Sequence, residues 1–373
     1  MSWKHIGIFD KPDSEELWTE IIDQIPDDVL LKPDIKILNV ACGYGTEANV
    51  IIKRMRNLGL SDDHINNSIY VLDRTIWATN RIRILGGFNN VIRADFLTWE
   101  TDMKFDIVVG NPPYKIDGDS SYYTKFIEKS GKVLSEDGLI AFVVPNRFLD
   151  PGSKSAKIIH NLFSLTTVFA NLNESFPGIG TNIAGFIGSY SLASTKKTTK
   201  VIFPESSIDW DMQKALPIQA TTIIGASIID KVFNSLNQKL ILSRNEIAKD
   251  YVFVDSAYIR FCHTKPKGGK KSVISRVNQT NEGIIENGRG MFLKMGSETE
   301  AHLNSWYLSK SLLGRFCVYS FANAAQVSYR NLARMPKISG INMNDSELFS
   351  FFNISTTEQE YILDVLVRKK ETS

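Results

Sequence analysis

The sequence predicts an α/β fold, a Rossmann-like sheet of about seven strands, followed by a second domain of mixed α+β character. Three observations carry this. From Ile35 to Val144, short apolar runs rich in β-branched residues alternate with stretches of helical length, the pattern of βαβ units in a parallel sheet. The first run leads into Ala41-Cys42-Gly43-Tyr44-Gly45, with glycines where a strand turns into a helix. The polar stretch Ser194-Thr195-Lys196-Lys197-Thr198-Thr199-Lys200 then breaks the alternation, which sets a boundary between domains 1–194 and 195–373.

The expected strands are Ile35 to Val40, Ser68 to Leu72, Asn90 to Ile92, Phe105 to Gly110 and Gly138 to Val144. An antiparallel pair, Thr166 to Asn171 and Ile183 to Tyr190, follows around the turn-rich Phe176-Pro177-Gly178-Ile179-Gly180-Thr181. Helices are expected over Thr46 to Leu58, Trp77 to Gly86 and Tyr122 to Leu134, the last ending in a turn at Ser135-Glu136-Asp137-Gly138. Beyond the boundary the apparent elements are short and the loops polar, with no internal repeat.

Composition places the chain among globular proteins. Its 373 residues suit two domains of moderate size, and 43% hydrophobic against 23% charged residues can bury real cores. No stretch approaches the ~20 apolar residues of a membrane span, and the N-terminus lacks a secretory pattern. The three cysteines, Cys42, Cys262 and Cys317, lack the paired spacing of a zinc site or a disulfide framework, so no metal and a reducing cytoplasm are expected. Charge is unevenly spread: 24 Lys+Arg against 17 Asp+Glu from Thr195 onward (+7), and 19 against 24 before it (−5), summing to the net +2. Such a difference arises by chance on solvated surfaces or marks a polyanionic partner.

The ends of the strands carry the chemistry. Free N–H groups at a helix N-terminus behind the 41–45 turn can hold a ligand at close approach. The second strand ends on Asp73, followed by Arg74. That acid can accept hydrogen bonds from a ribose, or cap the helix that follows. The third strand ends in Ala94-Asp95-Phe96, an acid beside an aromatic, where open α/β sheets bind ligands.

The fourth strand runs into Asn111-Pro112-Pro113-Tyr114. Two prolines lock the backbone and remove two N–H donors, so nearby carbonyls are available to a ligand. An exocyclic amine on an aromatic ring is a poor nucleophile because its lone pair is delocalised. If the Asn111 side-chain oxygen and the Pro112 carbonyl each accept one of its N–H groups, the nitrogen is drawn toward tetrahedral geometry and can attack a methyl sulfonium in line. Tyr114 can stack on the base and Phe176 can supply a second face, although core packing is the ordinary account of a lone Phe in a turn. A base inside a duplex would have to be flipped out to reach such a site.

With this motif order the chain resembles the amino methyltransferases of restriction–modification systems, particularly the γ-type, TaqI-like N6-adenine enzymes. The resemblance covers roughly Ile35 to Tyr190. It implies a seven-stranded Rossmann-like methyltransferase sheet with a C-terminal mixed α+β target-recognition domain, S-adenosyl-L-methionine as cofactor, double-stranded DNA as partner, and in such systems a companion restriction endonuclease. Asn39 to Gly45 is similar to the family's cofactor turn, implying cofactor contacts at Asn39, Ala41, Gly43 and Gly45. Asp73 matches the ribose-binding acid, with Arg74 beside it. Asp95 matches the residue that bonds the adenosine amine, and Phe96 the one that packs on its ring. Asn111 to Tyr114 matches the catalytic tetrapeptide, which also borders the cofactor at Asn111, and Asn173-Glu174-Ser175-Phe176-Pro177 the base-stacking motif. Gly138 to Phe148 looks like the family's next strand, and Leu303 to Ile338 like the pattern closing its recognition domains. Asn39 departs from the family, which usually has Asp or Glu there. Candidate DNA contacts are Lys265, Lys267, Lys270, Lys271 and Arg276 in a basic segment around Gly268-Gly269.

Other readings compete. Enzymes that methylate a glutamine amide on a protein share the tetrapeptide, but they generally carry a helical module ahead of the cofactor domain. RNA adenine N6-methylation is excluded less firmly. A noncatalytic DNA-binding subunit that keeps the fold is raised by Asn39 alone.

Overall fold

The computed structural model describes residues 14–177, 179–190, 198–219, 221–235, 239, 242–243, 251–255, 274–277, 290–294, 297–321 and 334–371. The chain divides into two compact units, Met1–Gln213 and Lys214–Ser373.

The first unit is built on a nine-stranded sheet of order β3-β2-β1-β4-β5-β7-β6-β8-β9. Strands β1 (Ile37–Val40), β2 (Ile69–Asp73), β3 (Asn90–Arg93), β4 (Phe105–Gly110) and β5 (Leu134–Pro145) are mutually parallel. Strand β7 (Ile183–Tyr190) runs antiparallel to both its neighbours, β5 and β6 (Phe163–Phe169). These are the seven expected strands. Two more follow the polar stretch at 194–200: β8 (Thr199–Ile202), parallel to β6, and β9 (Ser207–Trp210). The boundary expected at 194/195 therefore precedes two strands that complete the sheet. Thr199 and Val201 are buried, and the Thr199 hydroxyl donates to the Leu165 carbonyl at 3.0 Å. Their alternation with Lys200 was hidden by the run of Lys and Thr around them.

Helices α3 (Thr46–Asn57), α5 (Ile76–Leu85) and α6 (Tyr123–Val133) take the expected crossover places. Four short helices were not foreseen: α1 (Glu15–Ile22), α2 (Asp27–Leu30), α4 (Asp62–Ser68) and α7 (Lys154–Leu162). Three of them begin on a serine, Ser14, Ser61 and Ser153, whose hydroxyl accepts the N–H three residues on. The turn expected at 135–138 is instead a kink within β5. Asp137 takes φ +57°, the register with β4 shifts between Phe105 and Ile107, and Glu136 and Asp137 face solvent.

One apolar layer joins Trp18, Ile21 and Ile22 of α1 to Ile51 and Met55 of α3, and both to Ile37, Ile107, Val109, Ala141 and Val143 of the sheet. The buried aliphatic face of β1 and β4 is continuous because both strands are covered on both sides. Arg54 of α3 locks the α1–α2 connection. Its guanidinium donates to the Ile22 carbonyl, to the Ile25 carbonyl at 2.8 Å and to the Asp27 carboxylate at 2.6 Å.

The second unit combines an antiparallel four-stranded sheet with helices. The sheet has order β10-β13-β11-β12, with β10 Leu242–Ser243, β11 Tyr251–Asp255, β12 Ile274–Val277 and β13 Gly290–Lys294. Helices Ile223–Phe233, Glu298–Ser309, Leu312–Ser320, Asp345–Phe351 and Thr356–Glu371 surround a core that includes Tyr307, Phe316, Phe321 and Leu348. Thr222, Ser297, Ser311 and Asn344 cap the first four of these through their side-chain oxygens. Among the described residues, no helix is long and apolar enough to cross a membrane.

Where β4 passes β1, a Cβ added at Gly110 would collide with the Val40 carbonyl oxygen, a backbone atom that cannot rotate away. Gly110→Ala is therefore expected to force the two strands apart and destabilise the first unit by about 1–3 kcal/mol. A urea midpoint equal to that of the unmodified protein would contradict this close approach.

Candidate active site

The parallel strands end on one edge of the sheet, and the candidate residues follow from those ends. β1 delivers Asn39 and the turn at 41–45, β2 delivers Asp73, β3 delivers Asp95 and Phe96, and β4 delivers Asn111 to Tyr114. Because β7 is antiparallel, its start lies beside the end of β5, with Ile183 opposite Pro145. That reversal brings the Asn173–Ser175 turn and Phe176 to the same edge as the ends of β4 and β5.

The turn after β1 is wound through left-handed backbone: Ala41 at φ +52°, Gly43 at +48° and Gly45 at +79°. A Cβ at Gly45 would meet Ile82 Cδ1 of α5 as well as an unfavourable φ. Asn39 is fully buried. Its side-chain N–H donates to the Val109 carbonyl at 3.2 Å, while its Oδ1 has no hydrogen-bond partner among the described residues. A buried acceptor left in this state beside a glycine-bearing turn fits a ligand that brings its own donor.

Asp73 does not cap α5, whose N-cap is Thr75 and which has no side-chain capping bond. Its Oδ1 accepts from the Thr75 N–H at 2.8 Å and the Thr75 hydroxyl at 2.6 Å, and its Oδ2 accepts from the Gly43 N–H at 3.1 Å. The acid thus ties the end of β2 to the glycine turn of β1. A carboxylate has roughly four acceptor positions, so these bonds leave capacity for a ribose hydroxyl. Asp95 Oδ1 accepts the Leu97 N–H at 3.0 Å. Tyr122 lies within electrostatic reach of Asp95 and Arg74, and its hydroxyl is raised above the ordinary tyrosine range by burial, with Asp95 adding to the effect. Arg74 itself is exposed. Phe96 is 2% exposed and packs its ring against Phe126 of α6, centroids 5.6 Å apart, so the core holds this aromatic in place.

Asn111 and Pro112 are buried at the end of β4, and Pro113 and Tyr114 are half-buried. Tyr114 packs against the same apolar cluster that contains Phe176, which is 7% exposed. The two aromatics expected to flank a base therefore border one cluster although 62 positions separate them in the chain. Beside this site, the 115–122 loop turns tightly at Asp117 and Gly118. Its Asp119 is pulled down to about 2 by hydrogen bonds from the Ser121 N–H and hydroxyl and by Lys125.

Several neighbours were not foreseen. Tyr44 of the turn packs edge-on against Trp77, centroids 5.3 Å apart, and lies under the Arg81 guanidinium at 5.0 Å. Glu47, on the first turn of α3, is 3% exposed. Its place among apolar helix positions was the one available signal. Asn173 donates to Asn182 and accepts the Ile183 N–H at 2.8 Å, fixing the loop that carries Phe176.

Among the candidate DNA contacts, Lys265, Lys267, Lys270 and Lys271 lie outside the described residues, and Arg276 falls on β12 opposite Phe253. Of the stretch from Leu303 to Ile338, residues 322–333 lie outside them too, while 303–321 are largely helical. No group of His, Cys, Asp or Glu among the described residues could hold a metal ion.

Residues 46–173 match the family model of the Eco57I restriction-modification methylases. Modification methylase CviBIII of Paramecium bursaria Chlorella virus NC1A is 27% identical over 127 residues, which is 31% of this chain and 32% of that protein. Type II methyltransferase M.TthHB8I of Thermus thermophilus is 37% identical over 82 residues, 15% of this chain and 19% of that protein. The chain thus spans well under two thirds of the length of these relatives. The solved type I restriction-modification system methyltransferase subunit from Streptococcus thermophilus is 17% identical with a TM-score of 0.39, covering 56% of this chain and 52% of that one.

Cys42, in the 41–45 turn, is buried, and burial pushes its thiol well above the usual range, with the carboxylates of Asp73 and Glu47 adding to the effect. Burial raises Cys317 in the same direction. At pH 8 both stay protonated, so alkylation of the native protein should modify them at least ~100-fold more slowly than in denaturant. Peptide mapping that finds Cys42 modified at the unfolded rate would contradict the closed turn.

Proposed function

We propose, from a first unit that carries an Eco57I restriction-modification methylase segment over residues 46–173, that the chain transfers a methyl group from S-adenosyl-L-methionine to the N6 amine of an adenine flipped out of double-stranded DNA. One observation supports this above the others. The antiparallel β7 sets Phe176 and Tyr114 against one apolar cluster, at the edge where β4 presents Asn111 and Pro112.

The residues at the strand ends fit the cofactor. The 41–45 turn offers glycine backbone at 43 and 45, Asp73 retains acceptor capacity for a ribose, Asp95 stands at the end of β3 for the adenine amine, and Asn39 Oδ1 can accept a donor. When bound, S-adenosyl-L-methionine supplies an electrophilic methyl sulfonium. Asn111 and the Pro112 carbonyl then accept the two N–H groups of the target amine and localise its lone pair, and Tyr114 and Phe176 hold the plane of the base. Rigid prolines keep those acceptors aimed without reorganisation. The second unit, with its basic excess, is assigned to reading DNA sequence.

The test uses the purified chain with labelled cofactor, duplex DNAs, RNA and a glutamine-containing peptide, followed by nucleoside and amino-acid analysis. N6-methyladenine in DNA is the expected product. Label confined to RNA or to glutamine would move the reading to those substrates, and absence of cofactor binding would overturn it. Asn111→Ala is expected to lower the rate of methyl transfer by about 10²–10³ while cofactor affinity changes less than about twofold. Unchanged turnover would remove Asn111 from its role.

A further inference from the structure

Strand β5 lies between β4 and β7 in the sheet, so its end stands between the two halves of the proposed base site. Asn111 to Tyr114 follow β4, and the Asn173–Ser175 turn and Phe176 precede β7. The Asn146 N–H donates to the Asn182 carbonyl at 2.9 Å, which ties the end of β5 to the loop that carries Phe176. The chain then makes a single 3-10 turn, Asn146–Leu149. Asn146, Phe148 and Leu149 are buried in it, and Arg147 alone is exposed. Three packed neighbours thus hold its backbone while its side chain is left to solvent.

Since β7 is antiparallel to both β5 and β6, those two strands run the same way, and α7 between them crosses from the carboxyl edge of the sheet to the amino edge. The first turn of α7 therefore lies on the same edge as Arg147, and it carries Lys154 and Lys157, both exposed. None of the ion pairs among the described residues engages Arg147, Lys154 or Lys157. Asp150, the one acid between positions 145 and 160, is buried and accepts the Gly152 N–H at 3.0 Å. Residues before Thr195 hold 24 acids against 19 bases. A run of cations without ion pairs opposes that balance, and it falls at the edge where the base would enter.

Resting on the DNA methyltransferase reading above, we propose that Arg147 and Lys154 form a phosphate anchor on the catalytic unit, which grips the DNA backbone beside the flipped nucleotide. A base leaves the stack by rotating about its own backbone. As it enters between Asn111 and Phe176, the phosphates flanking it are drawn to the rim of the site, and the end of β5 is that rim. The Arg147 guanidinium offers a planar fork of N–H donors that suits a phosphodiester, and Lys154 adds a point charge. Such contacts fix position and carry no sequence information, which separates this anchor from the sequence reading assigned to the second unit.

The experiment follows binding of a fluorescent mixed-sequence duplex by anisotropy at several salt concentrations, with S-adenosylhomocysteine binding measured by calorimetry on the same samples. Each phosphate contact releases condensed counterions. Arg147→Gln and Lys154→Gln are therefore each expected to reduce the slope of log affinity against log salt by about one, and the double variant by about two. Their affinity for S-adenosylhomocysteine is expected to stay within about twofold. Lys132→Gln removes the same charge from the last turn of α6, at the amino edge where β5 begins, and is expected to leave the slope unchanged. An unaltered slope in the double variant, folded by circular dichroism, overturns the proposal. So does an equal reduction in Lys132→Gln, which would mean that net charge rather than position governs binding. An unmodified chain that binds S-adenosylhomocysteine but no duplex would instead sink the DNA reading, and one that binds neither would sink the methyltransferase reading with it.

Discussion

The approach of β4 to β1 is the contact on which the candidate site depends. Gly110 sits so close to the Val40 carbonyl that no side chain fits between them. The two strands consequently end side by side, with Asn39 donating across to Val109. The glycine turn that follows β1 and the Asn-Pro-Pro-Tyr segment that follows β4 are neighbours for that reason. Asp73 extends the link to the next strand by bonding both Thr75 and the Gly43 N–H. Three strand ends are thereby coupled before any ligand enters, which lowers the cost of organising a site on loops.

Reversal of β7 supplies what parallel strands alone cannot. In an all-parallel sheet the segment before a strand starts from the amino edge, far from the ligand crevice. Since β7 runs the other way, the loop before it opens onto the carboxyl edge, and the Asn173 bond to the Ile183 N–H fixes its exit. Phe176 then belongs to the apolar cluster against which Tyr114 packs.

Buried polar groups mark where this architecture departs from a purely structural solution. Most polar side chains buried in the first unit are absorbed locally: Thr199 bonds Leu165, and Ser130 bonds Phe126. Asn39 keeps an acceptor without a hydrogen-bond partner among the described residues. A buried acceptor of this kind is expected at sites that complete themselves with a ligand.

Much of this was legible in the sequence. The run of β-branched residues in β1, β2 and β4 and the glycines at 43 and 45 specify strands and a turn through local preferences, and Asn111 to Tyr114 singles out the end of β4 because two prolines lock the backbone there. Helices as short as α4 and α7 were missed because their periodicity is brief, and β8 and β9 because Lys and Thr masked a two-residue alternation. Tertiary structure alone decided the rest. That Asp73 braces the Gly43 N–H, that Phe96 faces Phe126, that Phe176 shares a cluster with Tyr114 and that Glu47 is buried beside the turn all depend on strands brought together from distant parts of the chain. Local residue preferences choose the element and its ends, but burial and hydrogen-bond partners are properties of neighbours in space, and only the packed sheet fixes those.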